Sequence, residues 1–218
     1  MVKVEIWSDV ACPWCYIGKR RFAEGERRYR EAGGDPVEVE YRSFELSPDL
    51  PDDFSGSVID YLHGLRGIPE AQVHQMIEQV TGLARAEGID ADFPAVQQTR
   101  TLKAHELLHL AKATSVQEPM KERLLRAYFV EGRNVGDLEE LADMAVELGL
   151  DRDEVLAALT TGTFAADVQA DIDQARAYGI SGVPFYVIDG RYGISGAQPA
   201  ETFAQALAQA ASDRVGQR

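Results

Sequence analysis

An α/β chain with a helical block set into its middle is the fold class that the sequence predicts. Three observations carry it. Alternating segments rich in Val, Ile and aromatic residues occupy both ends of the 218 residues, as strands require. Between them, from about Ser57 to Tyr178, apolar residues recur at helical spacing. Within that stretch Gly67, Gly88, Gly132, Gly149 and Gly162 stand where helices would stop.

The elements follow in order. Residues 2–8, with Val2, Val4, Ile6 and Trp7, read as a strand. Asp9-Val10-Ala11 turns the chain, and a helix runs from about Cys12 to Arg30, ended by Gly33-Gly34-Asp35-Pro36. Residues 37–44 alternate again, and Ser47-Pro48-Asp49-Leu50-Pro51 is a loop. Helical patterns then occupy 57–66, 69–87, 95–113, 116–130, 137–148, 151–160 and 163–178. Tyr178-Gly179 reads as a helix end with glycine past it. Val183 to Asp189 is a strand, Asp189-Gly190 a hairpin turn, Arg191 to Ile194 the returning strand, and Pro199 to about Ala211 a last helix. The order is β-α-β, a helical block, then β-β-α. It predicts an α/β domain made of 1–56 and 179–218, interrupted by a helical insertion domain, 57–178.

Composition removes several function classes. Hydrophobic residues make up 45% and charged residues 27%, ordinary for a chain with a packed core. The net charge of -14 opposes nucleic acid, whose phosphates need a basic face. Met1 leads straight into the first strand, and no run of about 18 apolar residues occurs, so neither export nor a membrane is expected. A cytoplasmic address follows as the expectation. Arginine outnumbers lysine 17 to 5, a skew that points to a GC-rich bacterial genome.

Both cysteines sit in Cys12-Pro13-Trp14-Cys15. A single CxxC is half a zinc site, and a cytoplasmic chain of this length has little structural use for a disulfide. A redox dithiol is the reading that remains. Cys12 falls at the start of the first helix, where unpaired N–H groups and the helix dipole favour a thiolate. Cys15 lies one turn inward on the same face, with the Cα atoms about 5–6 Å apart, a spacing that suits a disulfide. Cys12 is thus the attacking thiol and Cys15 the resolving one. Pro13-Trp14 supplies no imidazole, so a potential between the thioredoxin and DsbA values of about −270 and −120 mV is expected.

Five blocks together resemble a known family. They are Ser8 through Gly18 around the dithiol, Phe44-Glu45-Leu46-Ser47-Pro48-Asp49, Tyr128-Phe129 followed by Glu131-Gly132, Ile180 through Val187, and Ser195-Gly196-Ala197-Gln198-Pro199. In this order the chain resembles the thioredoxin superfamily, its DsbA-like branch with the large all-helical insertion, and within that branch the FrnE-type subgroup. The resemblance implies thiol–disulfide oxidoreductase or disulfide isomerase activity on protein disulfides, protein thiols or small thiols. It implies no tightly bound cofactor, with glutathione or another low-molecular-weight thiol as co-substrate. It also implies a cis Val183-Pro184 bond facing the dithiol, with the Val183 backbone open to a substrate strand. Relatives such as 2-hydroxychromene-2-carboxylate isomerase and the kappa-class glutathione transferases carry Ser where this chain has Cys12.

Two features depart from that pattern. The position six residues before the first Cys, a buried carboxylate in thioredoxin and DsbA, is Ile6 here, and Asp9 either lines the site or simply turns the chain. Some FrnE-type proteins carry a second cysteine pair, which this chain lacks. Trp14, Tyr16, Phe44 and Leu46 are candidates for an apolar rim around the dithiol, and Trp14, Phe44 and Leu46 for contact with substrate. His105-Glu106-Leu107-Leu108-His109 matches the HExxH zinc pattern, but no motif places a third ligand, so no metal is expected and His105 becomes a candidate groove residue. Two rival functions stay open: a low-molecular-weight-thiol-dependent isomerase or transferase acting on an aromatic or polyketide-like compound, and a peptide-binding chaperone module.

Overall fold

Strand β1 (Val2–Ser8) is the axis of the fold in a computed structural model that describes residues 1–51, 54 and 56–215. It runs parallel to β2 (Val37–Ser43) on one side and antiparallel to β3 (Phe185–Ile188) on the other. β4 (Tyr192–Ser195) pairs with β3 through a tight hairpin, giving the order β2-β1-β3-β4. Asp189 and Gly190 both take positive φ, 51° and 65°, as the central residues of the turn that the Arg191 N–H closes on the Ile188 carbonyl at 3.0 Å. A parallel pair needs a crossover, and α1 (Pro13–Glu31) provides it between β1 and β2.

The alternation along β1 sorts its side chains to two faces. Val2, Val4 and Ile6 pack with Phe22 of α1 and with Phe203 and Leu207 of α8 (Ala200–Val215). Helix α1 meets α8 so closely that a Cβ at Gly25 would lie 2.6 Å from the Ala200 carbonyl oxygen. Trp7 faces the other way, against Ala175 of α7 (Ala165–Ala177), and its indole N–H donates to the Asp171 carbonyl at 3.0 Å.

Between β2 and α7 lie α2 (Glu70–Ala86), α3 (Leu102–Ala113), α4 (Gln117–Phe129), α5 (Leu138–Glu147) and α6 (Arg152–Thr161). Their apolar stripes make one core, from Leu107, Leu124, Met144 and Leu159, that also takes in Val10 from the turn before α1 and Tyr16 and Ile17 near its start. The first turn of α1 is therefore seated against the helical block as well as the sheet. Asp151 caps α6 by accepting the Asp153 and Glu154 N–H groups, and Gly162 ends that helix at φ 67°. Helix α4 is tied to β2 by Gln117, whose side chain accepts the Tyr41 N–H and donates to the Tyr41 carbonyl, both at 3.0 Å. None of the helices among the described residues is long and apolar enough to cross a membrane.

Four expectations need correction. The pattern at 95–113 becomes a helix only at Leu102, because the Gln98 N–H is given to the Gly56 carbonyl in an isolated bridge. The 57–66 segment makes a short π-helical turn, Asp60–Leu65. β3 begins at Phe185 rather than Val183, since Pro184 has no N–H to give a ladder. The last helix extends to Val215.

Candidate active site: a buried dithiol beside an apolar cleft

Cys12 is the N-cap of α1, with φ −95° and ψ 111°, and Pro13 opens the helix where a missing N–H costs nothing. Its carbonyl receives the Cys15 N–H at 3.0 Å, so the two thiols are stacked one turn apart. Both are free and nearly sealed, 3% exposed at Cys12 and 2% at Cys15. The Cys12 S–H points at the Val183 carbonyl, 3.5 Å away, and the Val183-Pro184 peptide is cis. Pro184 is buried and Val183 half-buried. The two sequence motifs, at opposite ends of the chain, thus meet at one sulfur.

Charged and polar groups reach the pair from three directions. Asp9 is buried beside it, its Oδ1 3.2 Å from His105 Nε2 and its Oδ2 accepting the Leu46 N–H at 2.8 Å. Burial works to raise its pKa, yet His105 and these hydrogen bonds overcome that and hold the carboxyl below its ordinary range. From α4 comes Lys121, 1% exposed and without a hydrogen-bond partner among the described residues. From β3 comes the Tyr186 hydroxyl, likewise buried and unpartnered among the described residues.

The two thiols titrate together. The hydrogen bond that Cys12 makes to Cys15, and then burial, push Cys12 well above the ordinary thiol range. Burial also opposes a charge on Cys15, but the Cys12 S–H, the Lys121 charge and the Ser8 hydroxyl lower it below that range. The first proton therefore leaves a shared site, and the second is held tightly. An acidic Cys12 acting alone, expected from its place at the helix start, is replaced by an anion that belongs to the pair. The physical reason is that both sulfurs are buried, and the thiol that keeps its proton can donate it to the thiolate beside it.

An apolar cleft of about 490 Å³ opens over Cys12. Trp14 and Leu46 line it, 40% and 43% exposed, as do Tyr61, Met76, Phe93 and Phe129 from the helical block. Cys15 lies behind Cys12, outside that lining. Phe44 departs from expectation. It lines a separate cleft of about 360 Å³ with Glu45 and Arg100, two residues along the chain from Leu46 but on another face. His105 also departs, because it is wholly buried on Asp9 and lines neither cleft. Its motif partner His109 meets a different carboxylate, Asp171, at 3.1 Å, and Glu106 binds Lys103 at 2.8 Å. Among the described residues no group of three His, Cys, Asp or Glu is placed to hold a metal ion.

Lys121 was missed from the sequence, though one signal was there. It falls on the stripe of α4 that otherwise buries Met120, Leu124, Leu125 and Tyr128. A lysine at helical spacing within an apolar face is either snorkelling or held for its charge.

The model of the DsbA-like thioredoxin domain family matches residues 3–208. The chain is similar to the uncharacterized protein YwbO of Bacillus subtilis (strain 168), 32% identical over 210 residues, which cover 94% of this chain and 96% of that one. Among solved structures it is similar to the probable DsbA oxidoreductase SCO1869 of Streptomyces coelicolor, with a TM-score of 0.89 at 41% identity, covering 96% of this chain and 90% of that one. It shares its fold with the cytosolic disulfide reductase DsbM of Pseudomonas aeruginosa, solved with GSH, at a TM-score of 0.64 and 20% identity, covering 95% of this chain and 98% of that one.

Proposed function

Because the chain belongs to the family of DsbA-like thioredoxin domains, we propose that it is a thiol–disulfide oxidoreductase working through Cys12 and Cys15. The observation that carries the reading is the stacking of the two thiols, with Cys12 in the wall of a cleft and Cys15 behind it. A substrate disulfide entering the cleft meets Cys12 first. As Cys12 attacks, its S–H turns from the Val183 carbonyl and the proton passes to the Cys15 thiolate, so Cys15 acts as the base. The substrate S–S bond breaks, a mixed disulfide forms on Cys12, and one substrate thiolate leaves. Cys15 then attacks the Cys12 sulfur, closing the protein disulfide and releasing the second substrate thiol. One thiol and one thiolate enter with one disulfide, and the same set emerges with the roles exchanged. Run backwards, the sequence oxidises a dithiol substrate, and shuttling between the two gives disulfide isomerisation.

The Val183 carbonyl, which holds the Cys12 S–H in the reduced protein, is freed when that proton moves, and it then offers an acceptor to an extended peptide. The partners are protein thiols and disulfides or small thiols in the cytoplasm, with glutathione or a similar thiol as the co-substrate that resets the pair. Nucleic acid is not a partner of a surface with a net charge of -14. The test is turnover of insulin disulfides with glutathione as reductant. The wild type should accelerate it, and loss of Cys12 should abolish the acceleration.

The cleft favours a second reading. Its aromatic and aliphatic walls suit an apolar ring system as well as a peptide side chain, so a thiol-dependent isomerase or transferase for an aromatic compound is the alternative. Turnover of such a compound with glutathione, without reaction of protein disulfides, would select it.

A further inference from the structure

We propose that Lys121 is a positioning residue for the dithiol: its buried ammonium is the counter-ion of the thiolate form, and it holds the pair toward the reduced state. The inference rests on the redox reading of Cys12 and Cys15 and adds to that centre a residue from the helical block. Two anchors fix where Lys121 points. Four residues before it, Gln117 binds both backbone groups of Tyr41 in β2. Next to it, Glu122 receives the Tyr16 hydroxyl at 2.9 Å and the Arg20 guanidinium at 2.5 Å, both from α1. The side chain of Lys121 therefore runs into the seam between β2 and α1, with Nζ 5.7 Å from the centre of the Tyr41 ring. Within that seam, and among the described residues, it has no hydrogen-bond acceptor.

A buried ammonium without a partner is costly, so the groups facing it decide what it is for. From α1 these are Cys15 and Cys12, with Lys19 as the opposing like charge; from the turn after β1 it is Asp9; from β2 it is the Tyr41 ring. Lys19 is itself paired with Glu122 at 3.1 Å. Asp9 is already taken by His105 and the Leu46 N–H. The dithiol is the counter-charge left over. Burial holds the Lys121 pKa below the ordinary lysine range, against the pull of Cys15, Asp9 and Cys12. In the reduced protein one thiolate balances the ammonium. When a substrate disulfide oxidises the pair, both sulfurs become neutral in the new S–S bond and the anion leaves on the substrate thiolate. Lys121 is then uncompensated. It thus favours the reduced pair over the disulfide, and it gives up its own proton more readily in the oxidised protein.

The test uses the full chain in both redox states. In Lys121→Met, the pH profile of alkylation by iodoacetamide should move upward, with the thiolate fraction at pH 7 down about tenfold, one pKa unit. The ratio of reduced to oxidised protein in a glutathione buffer should fall about tenfold as well. Lys121→Arg keeps the charge and should restore part of both effects. A lysine of purely structural use would change the melting temperature and leave the alkylation profile in place. The wild type supplies a second measurement: with isotope-labelled lysine, the Lys121 ammonium should deprotonate at lower pH in the disulfide form than in the dithiol form. An alkylation profile unmoved by Lys121→Met overturns the proposal. So does a Lys121 titration identical in the two states, which also decides the matter if the variant does not fold. Failure of the wild type to turn over insulin disulfides strikes the redox reading instead, and the alkylation profile still judges Lys121.

Discussion

Cys12 and Cys15 differ in what each can reach, and single substitutions should expose the difference. Cys12→Ser removes the thiol in the cleft wall and should abolish disulfide exchange, since a serine hydroxyl offers no comparable anion near neutral pH. Cys15→Ser keeps the attacking thiol but removes the one behind it, so a mixed disulfide through Cys12 should accumulate. Intact masses and non-reducing gels after incubation with a disulfide substrate check both; adducts on Cys12→Ser and none on Cys15→Ser would reverse the roles. These two residues were legible in the sequence because their chemistry and spacing are contiguous. Lys121 was only half legible, because its place on the apolar stripe of α4 marks burial but not which groups that stripe packs upon. Phe44 and Leu46 show the same limit. Both looked like rim residues, but the chain leaves strand geometry after Ser43 and sends them into different clefts.

The elements were more legible than the contacts between them. Strand alternation at Val2–Ser8, the Asp189-Gly190 turn and the glycine after α6 each rest on local backbone chemistry, and each stands where the sequence puts it. The helix expected over 95–113 starts late, at Leu102, because a long-range bridge from Gln98 to Gly56 captures the first residues, which helical periodicity cannot foresee. Two substitutions test how elements are held. Asp151→Ala removes the acceptor of the Asp153 and Glu154 N–H groups and should cost about 1 kcal/mol in urea unfolding. Gly25→Ala should cost about 1–3 kcal/mol, because the new Cβ meets the Ala200 carbonyl oxygen at 2.6 Å and α8 must move away. A Gly25→Ala variant as stable as the wild type would mean that the α1–α8 contact yields freely.

Across the whole molecule, buried carboxylates tie the sheet to the helical block, and acid should loosen that union. Asp9 is held below its ordinary range despite burial, by His105 and by the Leu46 N–H. Asp171 is held there despite burial too, by His109, the Ser43 N–H and Arg42. A carboxyl whose folded pKa is depressed adds stability that is fully present above its unfolded value, near 4, and is lost as the pH falls through the folded value. Melting temperature should therefore drop steeply below about pH 4, and Asp171→Asn should flatten that acid limb. A limb of the same steepness in both proteins would remove Asp171 from the account. The same carboxylate bears on another matter. β2 is an outer strand, and its far side presents backbone groups that a strand from a second molecule would pair with. Gln117 occupies both groups of Tyr41, and Asp171 takes the Ser43 N–H at 2.8 Å. Two side chains from different helices thus occupy the pairing groups of Tyr41 and Ser43, so this margin of the sheet is closed to strand addition there, and growth into cross-β assemblies would have to start elsewhere.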